Sequence, residues 1–154
     1  MAGELSTIGM LFAYGVETTA GTKPATFTKI EGAIALPEIA LEPQQIDVTP
    51  LDEKLAHRYI PGLSNDGTAK AIQYNLNDAF KTAWGSMRTA YANLGTGLSM
   101  WFEFYHPGMT DGFFFTGEPA ELGFGGAGVD AANTVNAYVT PNEIKGWSTA
   151  VVPS

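Results

Sequence analysis

Between residues 98 and 115, large side chains fall on both faces of an alternating pattern. Leu98, Met100, Phe102 and Phe104 share one side, and Ser99, Trp101, Glu103 and Tyr105 the other. Residues 107–112 supply a Pro-Gly turn, and Phe113-Phe114-Phe115 begins a return strand. A period of two over this length describes a long antiparallel hairpin, placed at about 98–122. An antiparallel strand at a free surface keeps one wet face. Here both faces carry large side chains, so one side is expected to pack on a helix. The other face, or the edge, is expected to meet another subunit.

The remaining elements follow from the same reading. Residues 10–16 form a short apolar run and a first strand. Residues 27–34 and 39–41 read as strand pieces interrupted by Gly32 and Pro37, with a bulge or corner at Gly32. Asn65-Asp66-Gly67 signals a tight turn. From Lys70 the alternation of Ile72, Tyr74 and Leu76 marks another strand. The period then changes. Phe80, Trp84, Met87, Tyr91 and Leu94 recur at steps of four and three, which predicts one helix over about 78–94. Asn77 or Asp78 can cap its start and Gly95 can close its end. Its aromatic stripe reads as a face packed on the sheet. Residues 135–140 and 143–148 read as a closing pair of strands split by Pro141-Asn142. With 18 glycines, 9 prolines and 16% charged residues in 154, a single mainly β domain of short strands and turns is expected.

The segment 42–63 fits none of these elements. Ile46 and Val48 alternate with Asp47 and Thr49 until Pro50 breaks the pattern, since proline has no N–H for a ladder. A charged run follows, and Tyr59-Ile60-Pro61-Gly62-Leu63 closes it with apolar anchors about a Pro-Gly turn. Long excursions of this kind usually serve a function. This one reads as an extended arm.

The run from Ile39 to Leu63, with Pro37-Glu38 before it, Ile-Asp-Val-Thr within it and Tyr-Ile-Pro-Gly-Leu at its end, resembles the major tail tube proteins of long-tailed (siphovirus) bacteriophages. The order of the other elements agrees over most of the chain. The resemblance implies a β-sandwich or partial barrel flanked by one helix. Six copies would form a ring, each giving four strands to an inner barrel, and rings would stack into a tube. Twenty-four strands ~4.8 Å apart and tilted by ~40° close a circle ~50 Å across, wide enough for a DNA duplex after side chains are added. By the same resemblance, the arm contacts the adjacent ring or subunit through Ile46, Val48, Leu51, Leu55, Tyr59, Ile60 and Leu63. The hairpin 98–105 with 113–122 supplies two inner strands, and 27–36 with the segment after Ala69 the others. The partners implied are further copies of the chain and the tail tip, tape-measure and terminator proteins. DNA passes without specific binding, and the location is the virion, after assembly in the host cytoplasm. With Ser154 close after the last strand, no C-terminal immunoglobulin-like domain is expected, and any decoration is expected from another protein.

Chemistry is not suggested by any constellation, and no catalytic, cofactor or metal site is expected. Gly123 to Gly128 matches GxGxxG but precedes a strand rather than a helix, so it reads as a loop. His57 and His106, the two histidines, read as surface or loop residues. A net charge of −8 argues against neutralising phosphates. Between Arg88 and Lys145 every charged residue is acidic. This is either a solubility surface or a channel lining that repels DNA, with Glu103, Glu118 and Glu121 as lining candidates. Cysteine is absent, the N-terminal run lacks a signal peptide's positive start, and no apolar run reaches the ~18 residues of a membrane span. A soluble, unexported protein is expected. Two other functions fit the pattern. One is a ring protein of a contractile tail or secretion system. The other is a β-sandwich carbohydrate-binding module using Trp101, Tyr105 and Trp147 as stacking platforms.

Overall fold

The computed structural model describes residues 9–40, 43–52, 56, 59–64, 68–129 and 131–154. Among these residues, nine strands and one helix follow in the order β1 (Leu11–Val16), β2 (Thr28–Ile30), β3 (Ala33–Ala35), β4 (Pro43–Asp47), β5 (Tyr59–Ser64), β6 (Lys70–Asn75), α1 (Asp78–Ala92), β7 (Met100–Tyr105), β8 (Asp111–Pro119) and β9 (Thr134–Thr149). Seven of the strands make one antiparallel sheet in the order β2-β1-β7-β8-β9-β6-β3, and β4 and β5 make a separate ribbon.

The two edge strands of the large sheet, β2 and β3, are joined by residues 31–32 alone. A flat sheet of seven strands would hold its edges ~29 Å apart, whereas three Cα steps span at most ~11 Å. The sheet therefore curls until its edges nearly meet. Gly32 makes the corner with φ of 92°. The Tyr74 hydroxyl on β6 donates to the Ile30 carbonyl on β2 (3.0 Å), bridging the gap. The architecture is a mainly β, nearly closed barrel with one flanking helix, as expected, and the expected extended arm holds a separate two-stranded ribbon.

The curl gathers alternate residues inside: Phe12, Ile72, Tyr74, Met100, Phe102, Phe115 and Val139 are fully buried. Helix α1 adds Phe80, Trp84 and Met87 to this core. Asn77 is the helix cap, its Oδ1 accepting the Phe80 N–H (2.8 Å). The helix ends two residues before the expected Leu94, with Asn93 as its C-cap rather than Gly95. Trp84 pins α1 to the end of β8, its Nε1–H donating to the Ala120 carbonyl (2.9 Å).

Several expectations need correction. Residues 39–40 are not strand. The final strand pair is one strand, β9, that runs through Pro141. Proline is tolerated there because β6 pairs with β9 only up to Val139, and a register shift falls where Pro141 faces Gly117. Pro61 and Gly62 lie within β5 instead of forming a turn. In a two-stranded ribbon both strands are edges, so Pro61 has a free side for its missing donor. The expected turn at 65–67 lies outside the described residues.

The hairpin's second face also differs from expectation. Ala13, Phe27, Trp101 and Phe114 form a second buried cluster with Val151 packed on it. Residues 150–154 cross this face: the Val151 N–H donates to Glu103 Oε2, and the Ser154 N–H to the Phe27 carbonyl. Lys23 clips the end of β9 just before this strap, its Nζ donating to the Thr149 carbonyl (2.8 Å) and standing 4.6 Å from the Phe114 ring centre. The chain covers this face itself. It is not left for another subunit.

Candidate interaction surfaces

Among the described residues, no group of three or more His, Cys, Asp or Glu side chains is placed to hold a metal. The Gly123–Gly128 run is irregular chain between β8 and β9, without the strand-to-helix setting a dinucleotide requires. His106 occupies a turn but is buried, contrary to a surface role, and its Nδ1 accepts the Gly108 N–H (2.8 Å). His57 lies outside the described residues. The surfaces capable of recognition are therefore built from shape and edges.

The arm is a two-stranded ribbon in which Ile46 faces Ile60 and Asp47 faces Tyr59. Sequence periodicity missed this pairing because Pro61-Gly62 reads as a turn in isolation. Beyond β4 the Asp47 side chain folds the chain back by accepting the Thr49 N–H (2.9 Å). Of the expected contact residues, Val48 is 44% exposed and Leu51 fully so. Ile46, Tyr59, Ile60 and Leu63 belong to the ribbon strands, and the orientation of their side chains lies outside the described residues, as does all of Leu55.

The three lining candidates do not share a setting. Glu103 is fully buried, which excludes it from any solvent channel. Gly112 leaves the space it fills: a Cβ there would come within 2.6 Å of Glu103 Oε2. Oε1 has no hydrogen-bond partner among the described residues. Burial pushes the Glu103 carboxyl up to about 7, against opposing pulls from the Val151 N–H and the Lys23 charge. Glu118 and Glu121 are exposed. Glu118 stands beside Tyr91 of α1, whose hydroxyl is raised above its ordinary value by desolvation and then by the Glu118 charge. Glu121 lines a groove along α1.

That groove, of 440 Å³, runs between α1 and the segment 121–124. Trp84, Leu76, Leu122 and Phe124 give it an apolar wall, with Lys81, Arg88 and Glu121 about it. Gly85 opens its middle, where a Cβ would meet no atom within 4 Å. Phe124 is 78% exposed at the rim.

A sheet edge is the remaining feature. β8 pairs with β9 from Val139 to Thr149, while β6 pairs with it only from Thr134 to Val139. Past Val139, β9 has no strand on its second side among the described residues.

The carbohydrate platform is not assembled. Trp101 is 5% exposed, and its Nε1–H donates to Glu17 Oε2 (2.7 Å). Trp147 is exposed and meets Phe113 edge-on. A buried and an exposed ring offer no continuous stacking surface.

No family model matches the chain, and no curated protein matches it. Among solved structures, a chain in the cryo-EM structure of the anti-feeding prophage (AFP) baseplate, 6-fold symmetrised, superposes on it. The TM-score is 0.59 at 10% identity, over 99% of this chain and 100% of the other. At that identity the likeness is one of fold alone.

Proposed function

We propose that the protein is a structural subunit of a phage tail tube, forming hexameric rings that stack around an acidic channel for DNA. The observation that carries this reading is the full-length match of its fold to a chain of a six-fold baseplate. The separate ribbon and the β9 edge past Val139 support it, since both offer backbone and apolar groups to further copies. Val48 and Leu51 supply ring contacts. Of the acidic lining, Glu118 and Glu121 are the two expected residues that solvent reaches. The contacts are heterologous, closing around the ring and open along the tube axis. Tail tip, tape-measure and terminator proteins are the proposed partners in the virion.

A second reading is favoured by the same match: a ring component of a contractile particle, because the matching chain belongs to the baseplate of an anti-feeding prophage. Both readings predict rings. Electron microscopy of concentrated purified protein tests them, with rings or tubes expected from the intact chain. Removal of residues 51–58 should leave folded, non-polymerising protein. Normal tubes from that deletion would remove the arm from the account.

A further inference from the structure

We propose that the groove between α1 and residues 121–124 is the receptor for the arm tip, residues 48–52, of a second copy of this chain. This rests on the ring-forming reading above and specifies where one of its contacts is made. The argument begins with the arm. A lone two-stranded ribbon is marginal in water, so one kept in a folded protein draws stability from a surface it meets. The tip displays Leu51, fully exposed, beside Val48 and the exposed acid Asp52. Exposure of that degree also shows that the tip does not occupy its own chain's groove.

The groove has the complementary character. Its wall is apolar, with Phe124 projecting at the rim, and Gly85 leaves room for an inserted side chain. Neither Lys81 nor Arg88 is ion-paired among the described residues, unlike Lys29 with Glu31 and Lys145 with Glu143. With Glu121 as the one carboxylate of its lining, the groove is locally positive in a chain of net charge −8. An apolar side chain flanked by an acid matches it, and Leu51-Asp52 is such a pair. Five residues of strand in β4 extend ~17 Å, which sets the reach of the tip.

The absence of cysteine permits a direct test. Leu51→Cys and Gly85→Cys are made in separate chains, mixed under the conditions that give rings or tubes, and oxidised. Gly85 is exposed on α1, so the substitution fits its helix. Leu51→Cys mixed with Val152→Cys, on the strap over the opposite face, serves as the control. The expected result is a disulfide-linked dimer from the 51–85 mixture, at least fivefold above the control. Equal yields, or no dimer in material that microscopy shows to be assembled, would overturn the groove assignment while leaving the tube reading standing. Intact protein that never assembles would overturn that reading instead. As an independent arm, Arg88→Glu should lower assembly at least fivefold and Asp52→Lys in the same chain should restore it. Assembly indifferent to Arg88→Glu would also refute the contact.

Discussion

Glu103 should make the protein less stable as the solution becomes more alkaline, and Glu103→Gln should remove that loss. The carboxyl is held at about 7 in the fold against 4.5 when free. An acid whose folded value is raised keeps its proton longer in the native state, so native protein binds more protons between those two values. Stability therefore falls as pH rises from 4.5 towards 7 and levels above it. A shift of this size corresponds to about 3 kcal/mol in full, at ~1.4 kcal/mol for each decade. Measurements near the isoelectric point of about 4.5 invite precipitation, so the practical window opens near pH 5.5. By then roughly two fifths of the penalty is already present, which leaves about 2 kcal/mol to appear between pH 5.5 and 8. Glutamine stays neutral throughout, and its carbonyl can still accept the Val151 N–H. The assay is urea unfolding of wild type and variant at both pH values, followed by tryptophan fluorescence in dilute solution. Lys23 and the other charges remain in both proteins, so their own titration largely cancels in the difference. The variant should gain about 2 kcal/mol on wild type across the window, or ~4–8 °C in thermal midpoint. A difference unchanged with pH, or one that moves in favour of wild type, would refute the assignment of Glu103 as a buried acid carrying an unpartnered oxygen.

Three further perturbations follow from local geometry. Glu17→Ala strands the Gly21 and Ser99 N–H groups and the Trp101 Nε1–H, all of which its carboxylate accepts. A loss of about 3 kcal/mol or more is expected in denaturant unfolding, with a shift in Trp101 emission. Gly117→Ala brings a Cβ within 2.5 Å of the Thr140 backbone oxygen beside the β9 bulge. It should cost about 1–3 kcal/mol, whereas Gly85→Ala should be neutral or stabilising. Trp84→Phe keeps the ring but leaves the Ala120 carbonyl without its donor. About 1–2 kcal/mol should be lost, with faster amide exchange at the α1–β8 junction.

What the sequence disclosed depended on how far each signal is local. Asn77, the 4-3-4-3 stripe and the alternation around Ile72 and Tyr74 all act within a turn or a strand, and these elements fall where the pattern puts them. Pro141 and Pro61 misled because a proline's effect depends on whether a neighbour needs its N–H. That is a fact of sheet order, and both lie where one side of the strand is unpaired among the described residues. Trp101 and Glu103 alternate correctly onto the second face, yet what covers that face is the strap at 150–154. No spacing rule links residues 48 positions apart. The groove on α1 was hidden for the same reason, since Phe124 joins it from a loop that reads only as glycine-rich.

The strap changes which surfaces can carry assembly. With the hairpin's second face sealed by the chain's own residues, the proposed contacts between copies fall on the ribbon with its groove and on the β9 edge. These two are not equivalent. The edge past Val139 carries Lys145, and register shifts interrupt its ladder to β8 at Phe114/Phe115 and Thr116/Gly117. Gly146 there has a φ of 76°. A charged, irregular edge resists indiscriminate strand addition and accepts only a partner that fits its bulges. The ribbon's ladder also shifts register, at Pro43/Gln45, and holds Pro61, but the chain just beyond β4 presents Leu51 fully to solvent. On the proposed ring-forming reading, contact through the ribbon is expected to come first and to position a neighbouring copy, with pairing at the β9 edge as a selective second step. A variant blocked at the edge should then still form ribbon-linked dimers, while one lacking residues 51–58 should form neither.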